Sequence, residues 1–316
     1  MNQLVTIGET MVSFVPQSNE LLRYGASLKM YIAGAESNTA IGVQKLGHSA
    51  SYITRIGDDS FGQFILRMIR AEGVDTSYVK IDTEYPTGIM FKEPLPNRET
   101  AVHYYRTDSA ASHLNIHDIP EDAIAQAKIL HFTGITPILS DSCRQAVFQA
   151  IEIAAANGCS ISFDPNIRAK LWKINDYSPL MKEIISKSSY LLLGLDEAFT
   201  LYDTNDIQEL RSIIFSSGNL QYLAIKNGSN GAWVCDNDQI LHIPPVSCNC
   251  IDPVGAGDAF NAGFISGILK DEPLSVCGSI AAITGARATE TPGDIEGMIT
   301  ERDIHNTQNN ISPVFR

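Results

Sequence analysis

The stretch Asp252-Pro253-Val254-Gly255-Ala256-Gly257-Asp258-Ala259-Phe260, running into Asn261-Ala262-Gly263-Phe264, sets two glycines and an aspartate at the opening of a small-residue helix. Glycines at such a place leave backbone N–H groups uncovered, and the helix dipole adds a field that favours an anion. An aspartate one residue past the second glycine would repel that anion, so its position calls for a chemical reason. Taking a proton from an attacking hydroxyl supplies one. The turn Gly255, Ala256 and Gly257 would then stabilise charge on a transferring phosphoryl group while Asp258 receives the acceptor's proton. The same residues also suit a plain helix start, with Asp258 merely complementing the dipole. Other nucleotide motifs fit poorly: Phe260 stands where a dinucleotide fingerprint needs its third glycine, and neither a Gly-Lys-Ser/Thr phosphate loop nor the protein-kinase signature set occurs.

That turn needs a scaffold, and the chain is long enough to build one. Its 316 residues suit one large α/β domain or a domain with an appendage, and 44% hydrophobic with 19% charged residues rules out disorder, collagen-like repeats and coiled coil. A net charge of −13 repels phosphate backbones and anionic lipid, so nucleic-acid and membrane-surface partners are not expected. A small anionic ligand would need a few Lys or Arg residues concentrated at its site. No apolar run reaches the length of a membrane span, and the start Met1-Asn2-Gln3-Leu4 opens no basic-then-apolar leader, so a cytoplasmic protein is expected. The six scattered cysteines read as thiols, and Cys248-Asn249-Cys250 lacks a second ligand pair for zinc.

Short β-branched runs alternate with amphipathic stretches, the pattern of a mostly parallel sheet covered by helices on both faces. Core strands are expected at Leu4–Ile7, Ser51–Ile56, Ile129–Phe132, Ser160–Asp164, Tyr190–Leu193 and Tyr222–Lys226. Their continuous apolar character suits burial on both faces. Helices are expected near Glu36–Leu46, Phe61–Ala71, Ser142–Ala156, Ile207–Ser216, Ala256–Leu269 and Leu274–Ala288, several stopped by Gly47, Gly73 or Asn157-Gly158. Two segments break the rhythm. Val12–Ile32 and Thr87–Arg106, the latter with a Pro94/Pro96-Asn97 turn, read as a small antiparallel sheet inserted as a lid. The expected division is 1–11, 33–86 and 107–316 for the catalytic domain and 12–32 with 87–106 for the lid. An exposed lid edge could pair with another subunit, giving a homo-oligomer.

Asp252–Ile265 resembles the C-terminal signature of the ribokinase-like (PfkB) carbohydrate kinases. Ala33-Gly34-Ala35-Glu36-Ser37-Asn38, with Leu46-Gly47 and Arg55-Ile56-Gly57-Asp58, resembles the N-terminal one. The resemblance implies a three-layer α/β/α sandwich with a β lid. It implies ATP-dependent transfer of the γ-phosphoryl group to a sugar hydroxyl, with Mg²⁺ on the nucleotide and room for a monovalent cation such as K⁺. Asp258 then matches the catalytic base, and Gly255, Ala256 and Gly257 the anion hole. Lys226-Asn227-Gly228-Ser229-Asn230-Gly231 follows a strand and resembles the nucleotide loop, placing Lys226, Gly228 and Gly231 among nucleotide-binding residues. As a hairpin turn before Ala232–Cys235 the same stretch would be equally at home. The family's Asn-x-x-Glu appears as Gly194-Leu195-Asp196-Glu197, which leaves Glu197 to meet Mg²⁺ through water or to act as an ordinary helix-start carboxylate.

The acceptor is read from three places. Fructokinase-like members usually carry Asp where Ser13 stands, so a negative charge is missing from the pocket. Arg106 and Arg168 fall in segments facing the same cleft, and a guanidinium can hold a carboxylate through parallel hydrogen bonds. Tyr104-Tyr105-Arg106-Thr107-Asp108-Ser109-Ala110, Gly134-Ile135-Thr136-Pro137 and Asp164-Pro165-Asn166-Ile167-Arg168 look like those of the 2-keto-3-deoxygluconate kinases within the family. That likeness implies substrate contacts at Gly34, Asn38, Tyr104, Arg106, Arg168 and Asp258, with Met90 replacing a lid tyrosine. The expected product is 2-keto-3-deoxy-6-phosphogluconate. A fructokinase or another PfkB sugar kinase is the alternative enzyme, and a non-catalytic sugar- and nucleotide-binding regulator the alternative of another class.

Overall fold

A computed structural model describes residues 2–17, 21–94, 100–172, 175–216 and 218–308. The chain opens with β1 (Leu4–Ile7), β2 (Met11–Pro16) and β3 (Leu28–Ala33), then α1 (Ala35–Lys45), β4 (Ala50–Gly57), α2 (Ser60–Ala71) and β5 (Val79–Asp82). Next come β6 (Ile89–Pro94), β7 (Thr100–Tyr105), α3 (Glu121–Ala125), β8 (Ile129–Thr133), α4 (Thr136–Leu139), α5 (Asp141–Ala156) and β9 (Ser160–Asp164). The second half carries α6 (Ser178–Ser186), β10 (Tyr190–Gly194), α7 (Leu195–Tyr202), α8 (Ile207–Phe215), β11 (Tyr222–Lys226), β12 (Ala232–Cys235) and β13 (Ile240–Ile243). It closes with α9 (Ala256–Leu269), α10 (Leu274–Ala288) and α11 (Glu301–Gln308).

Among the described residues nine strands form the main sheet in the order β13-β12-β11-β10-β9-β8-β1-β4-β5, parallel except at one edge, where β12 runs antiparallel to both β11 and β13. Alternate residues of each central strand enter different cores, as a period of two requires. Leu4 and Leu192 join Tyr52 and Phe264 on the side of α1, α9 and α10, whereas Val5, Ile7, Leu191 and Leu193 join Phe132 and Phe163 on the side of α5 and α6. This is the three-layer ribokinase-like sandwich. The six expected strands and six expected helices are all present, with ends shifted by at most one residue. Gly47, Gly73 and Gly158 close α1, α2 and α5 at positive φ. No helix among the described residues is long and apolar enough to cross a membrane.

The lid is a four-stranded sheet in the order β3-β2-β6-β7. The expectation of an antiparallel sheet needs correction: β2 and β6 run parallel, Val12 opposite Ile89 and Ser13 opposite Met90. Each excursion is a hairpin, but both leave the main sheet in the same direction, so their first strands meet side by side. The turn around Pro96-Asn97 lies outside the described residues. The second excursion is fastened at its root by Asp59, the N-cap of α2. Its carboxylate accepts from the Gly62 amide at 2.7 Å and from the Thr87 amide and hydroxyl at 2.8 Å each.

Candidate active site

Helix α9 presents its N-terminus at the sheet edge where the strands end. Gly255 caps it at φ 84°, and a Cβ there would stand 2.7 Å from the Asp294 carbonyl oxygen, so backbone shape and crowding both demand glycine. The Ala256 amide reaches Pro253 O at 3.3 Å and the Ala259 amide reaches Gly255 O at 2.9 Å, while the Gly257 and Asp258 amides between them donate to no acceptor among the described residues. Two free N–H groups at a helix start are what an incoming phosphate oxygen requires. The internal use of the Ala256 amide narrows the expected trio of donors.

Asp258 is buried, and Asn38 Nδ2 donates to its Oδ2 at 2.8 Å. Burial pushes the carboxyl up to about 7; the Asn38 bond and the Arg168 charge oppose that rise, and Asp294 and Asp164 add to it. A buried carboxyl raised toward neutrality suits a general base. Helix α1 therefore holds the Asp258 carboxyl from one turn inside, and its cap, Gly34, packs against the opposite wall. A Cβ on Gly34 would lie 2.5 Å from Glu9 O and 2.8 Å from Thr10 Oγ1.

Glu9 is the anchor of that wall. Its Oε1 accepts from Ser109 Oγ at 2.5 Å, and its Oε2 pairs with Arg106 Nη2. The Arg106 side chain is only 9% exposed, its guanidinium lies 5.8 Å from the Tyr104 ring centre, and its Nε has no acceptor. Ser13 Oγ and Asn38 Oδ1 are also buried without partners. Unmet polar atoms of both kinds, one donor and two that can accept, mark a polar pocket. Met90, opposite both Ser13 and Tyr104, makes a local apolar patch with Met11 and Ala33. Arg168 is exposed in the loop after β9 and forms no ion pair among the described residues. Its positive charge bears on Asp258.

At the end of β11, Lys226 Nζ lies 2.7 Å from Asp164 Oδ2, 3.4 Å from Asn261 Oδ1 and 3.8 Å from where a Gly257 Cβ would stand. Burial alone would depress the lysine, but Asp164 and Glu197 outweigh it and hold it charged. Asn261 donates to the same Asp164 oxygen at 2.7 Å, so β9, β11 and α9 meet in one polar knot beside the turn. Gly228, at φ 52°, and Gly231, at φ 85°, bend the β11–β12 hairpin. Lys226 and Gly228 border a cavity of about 740 Å³ shared with Asp196, Phe199 and Ser229; Gly231 does not line it. Glu197 is held by two backbone amides. Its Oε1 accepts from the Ile167 amide and its Oε2 from the Gly194 amide, both at 2.6 Å, so it clamps the Asp164–Arg168 loop to the start of α7. Burial and the Asp164 charge push its pKa up. Among the described residues no cluster of three or more His, Cys, Asp or Glu could cage a metal ion.

Two signature residues prove to be built into the scaffold. Glu36, wholly buried, accepts from Thr133 Oγ1 at 2.6 Å and Thr136 Oγ1 at 2.8 Å, tying α1 to β8. Arg55 grips both oxygens of Asp118, at 2.7 and 3.1 Å, and Asp82 at 3.0 Å. Sequence reasoning assigned no role to Lys92, Asp294 or Asn261. A lysine directly after the apolar run Ile89-Met90-Phe91 was the one local signal available.

Residues 1–301 match the profile of the family described as "pfkB family carbohydrate kinase". The chain is similar to a 2-dehydro-3-deoxygluconokinase of Bacillus subtilis (strain 168), 31% identical over 305 residues that cover 95% of this chain and 93% of that protein. It is 33% identical over 315 residues to a 2-dehydro-3-deoxygluconokinase of Thermoproteus tenax, covering 96% and 93%. A crystal structure from E. coli, described as a putative ribokinase II in complex with ATP and Mg²⁺, shares the fold with a TM-score of 0.92 at 22% identity, covering 98% of this chain and 100% of that one.

Proposed function

Since the chain belongs to the pfkB family of carbohydrate kinases, we propose that this ATP-dependent sugar kinase acts on a sugar acid, 2-keto-3-deoxygluconate (2-dehydro-3-deoxygluconate), and forms its 6-phosphate. The observation that carries the choice of acceptor is the buried Arg106 with its unspent Nε donor. Glu9 neutralises much of its charge and fixes its orientation, so Arg106 contributes directed hydrogen bonding while the unpaired Arg168 contributes net attraction. Both sit in a chain of charge −13, in a pocket where Ser13 brings no carboxylate of its own. The names of the two curated relatives support the same acceptor.

In the reaction we infer, Asp258 accepts the proton of the acceptor's terminal hydroxyl as that oxygen bonds to the γ-phosphorus of ATP, and the bond from phosphorus to the ADP oxygen breaks. The free amides of Gly257 and Asp258, with the Gly255 turn that aims them, hold charge on the moving phosphoryl group. Lys226 adds a fixed cation beside them, and Gly228 shapes the cavity where the nucleotide fits. Mg²⁺ on the nucleotide supplies charge neutralisation at the phosphates, as hard cations with few protein ligands do. Glu197, whose oxygens each accept one backbone amide and keep a further lone pair, is the carboxylate that would meet that ion's water shell. Asn38 orients the base, and Gly34, Tyr104, Arg106 and Arg168 bound the acceptor.

The test is ADP release measured across 2-keto-3-deoxygluconate, its C4 epimer, fructose and ribose. The keto acid should exceed fructose in kcat/KM by ~100-fold. Arg106→Ala should raise KM for the keto acid by ~30-fold and for fructose by no more than ~3-fold. Equal use of fructose, or equal effects of the substitution, would overturn the acid assignment in favour of a neutral ketose.

A further inference from the structure

The lid places a buried ammonium against the turn that receives the phosphoryl group. Lys92, in β6, has a side chain only 3% exposed, with Nζ 2.7 Å from Asp294 Oδ1 and 3.6 Å from Asp252 Oδ2. Burial works to lower its pKa, and the two carboxylates more than offset this. Both partners belong to the turn's own surroundings. Asp252 begins the signature and accepts from the Val254 amide at 3.0 Å. Asp294 comes from the opposite side, its carbonyl oxygen against Gly255, and its Oδ2 lies 3.3 Å from Asn38 Nδ2, the same group that holds Asp258. The lid touches this segment a second time, since Tyr31 Cδ1 is 3.2 Å from where a Gly293 Cβ would be.

The charge balance depends on the lid. Without Lys92 in place, Asp252 and Asp294 would stand as uncompensated carboxylates beside a turn that must accept phosphate. With it in place, one cation offsets half of that negative charge and ties the two ends of the signature's surroundings together. We propose that Lys92 is a positioning residue that makes the phosphate-receiving turn competent only when the lid is closed, so that ATP turnover is tied to acceptor occupancy. The proposal rests on the kinase reading and not on which sugar is the acceptor.

The experiment compares wild type with Lys92→Met and Lys92→Arg, using 2-keto-3-deoxygluconate or, should the substrate panel rank another acceptor higher, that acceptor. Lys92→Met should lower kcat by ~100-fold while acceptor KM moves by less than ~3-fold, and the ratio of acceptor-free ATP hydrolysis to sugar phosphorylation should rise by ~10-fold. Lys92→Arg should recover kcat to within ~5-fold of wild type. A readout independent of turnover is amide hydrogen exchange over residues 251–258 with saturating acceptor and no nucleotide: acceptor should slow exchange in wild type and leave Lys92→Met unchanged. Unchanged kcat, a loss confined to acceptor KM, or equal slowing of exchange in both proteins would overturn the proposal. If Lys92→Met does not fold, Lys92→Gln, which can still donate to Asp294, takes the same readings. A failed acid assignment appears in the substrate panel alone and leaves this comparison intact.

Discussion

Asp258 carries opposing influences that set the pH at which it can work. Burial lifts its carboxyl to about 7, Asn38 and Arg168 pull it down, and two neighbouring aspartates push it up. As the base proposed above, Asp258 must be ionised, so kcat/KM should fall about tenfold per unit as pH drops below ~7, and Arg168→Ala, by removing a favourable charge, should move that limb to higher pH. A pH–rate profile whose midpoint shifts downward, or not at all, would contradict this. Asp258→Asn should reduce kcat by ~10³-fold with nucleotide Kd changed by less than ~3-fold, read by steady-state kinetics and calorimetry. The residues singled out from sequence were those carried in contiguous motifs. Lys92 and Asp294 lie 202 positions apart and Arg106 acts with Glu9 across the lid root, pairings that no local spacing encodes. Conversely, Glu36 and Arg55 stand inside motifs but spend their side chains on the scaffold.

Helix α9 is the element on which the chemistry rests, and its packing on α10 is unusually close. A Cβ at Gly263 would stand 2.2 Å from Thr284 Oγ1 and 2.8 Å from Ala281 Cα, so the α9 backbone packs directly on the Thr284 hydroxyl and the α10 backbone there. Gly263→Val should therefore cost about 1–3 kcal/mol of stability in urea unfolding and lower kcat as the first turn of α9 shifts; unchanged values of both would show that α10 is not its support. Central strands were legible because burial on both faces leaves uninterrupted apolar runs, such as β8 with every residue buried. Short, half-exposed β5 and edge strand β13 carry no such signal. The lid's strands were legible as hairpins, whereas the parallel seam between β2 and β6 is set by where two distant excursions leave the main sheet.

At the scale of the whole molecule, net charge and catalytic need point in opposite directions, and the conflict is resolved by concentrating Lys92, Arg106, Arg168 and Lys226 around one cleft of an acidic chain. The protein offers no three-ligand metal cage among its described residues. Chelation with EDTA should therefore abolish turnover, reversibly on adding Mg²⁺, while the thermal midpoint of the nucleotide-free protein moves by less than ~1 °C; a large destabilisation would reveal a structural metal. The lid is built from two chain excursions, Met11–Ala33 and Ile89–Tyr105, that pair through β2 and β6, and of the acceptor contacts proposed above Tyr104 lies on one of them while Gly34 and Arg106 directly follow their ends. Such an arrangement lets new sugar preferences be transplanted as a cassette, with the phosphate machinery inherited untouched. Any donor cassette would have to bring its own basic residue at position 92, or the recipient's Asp252 and Asp294 would meet it as strangers.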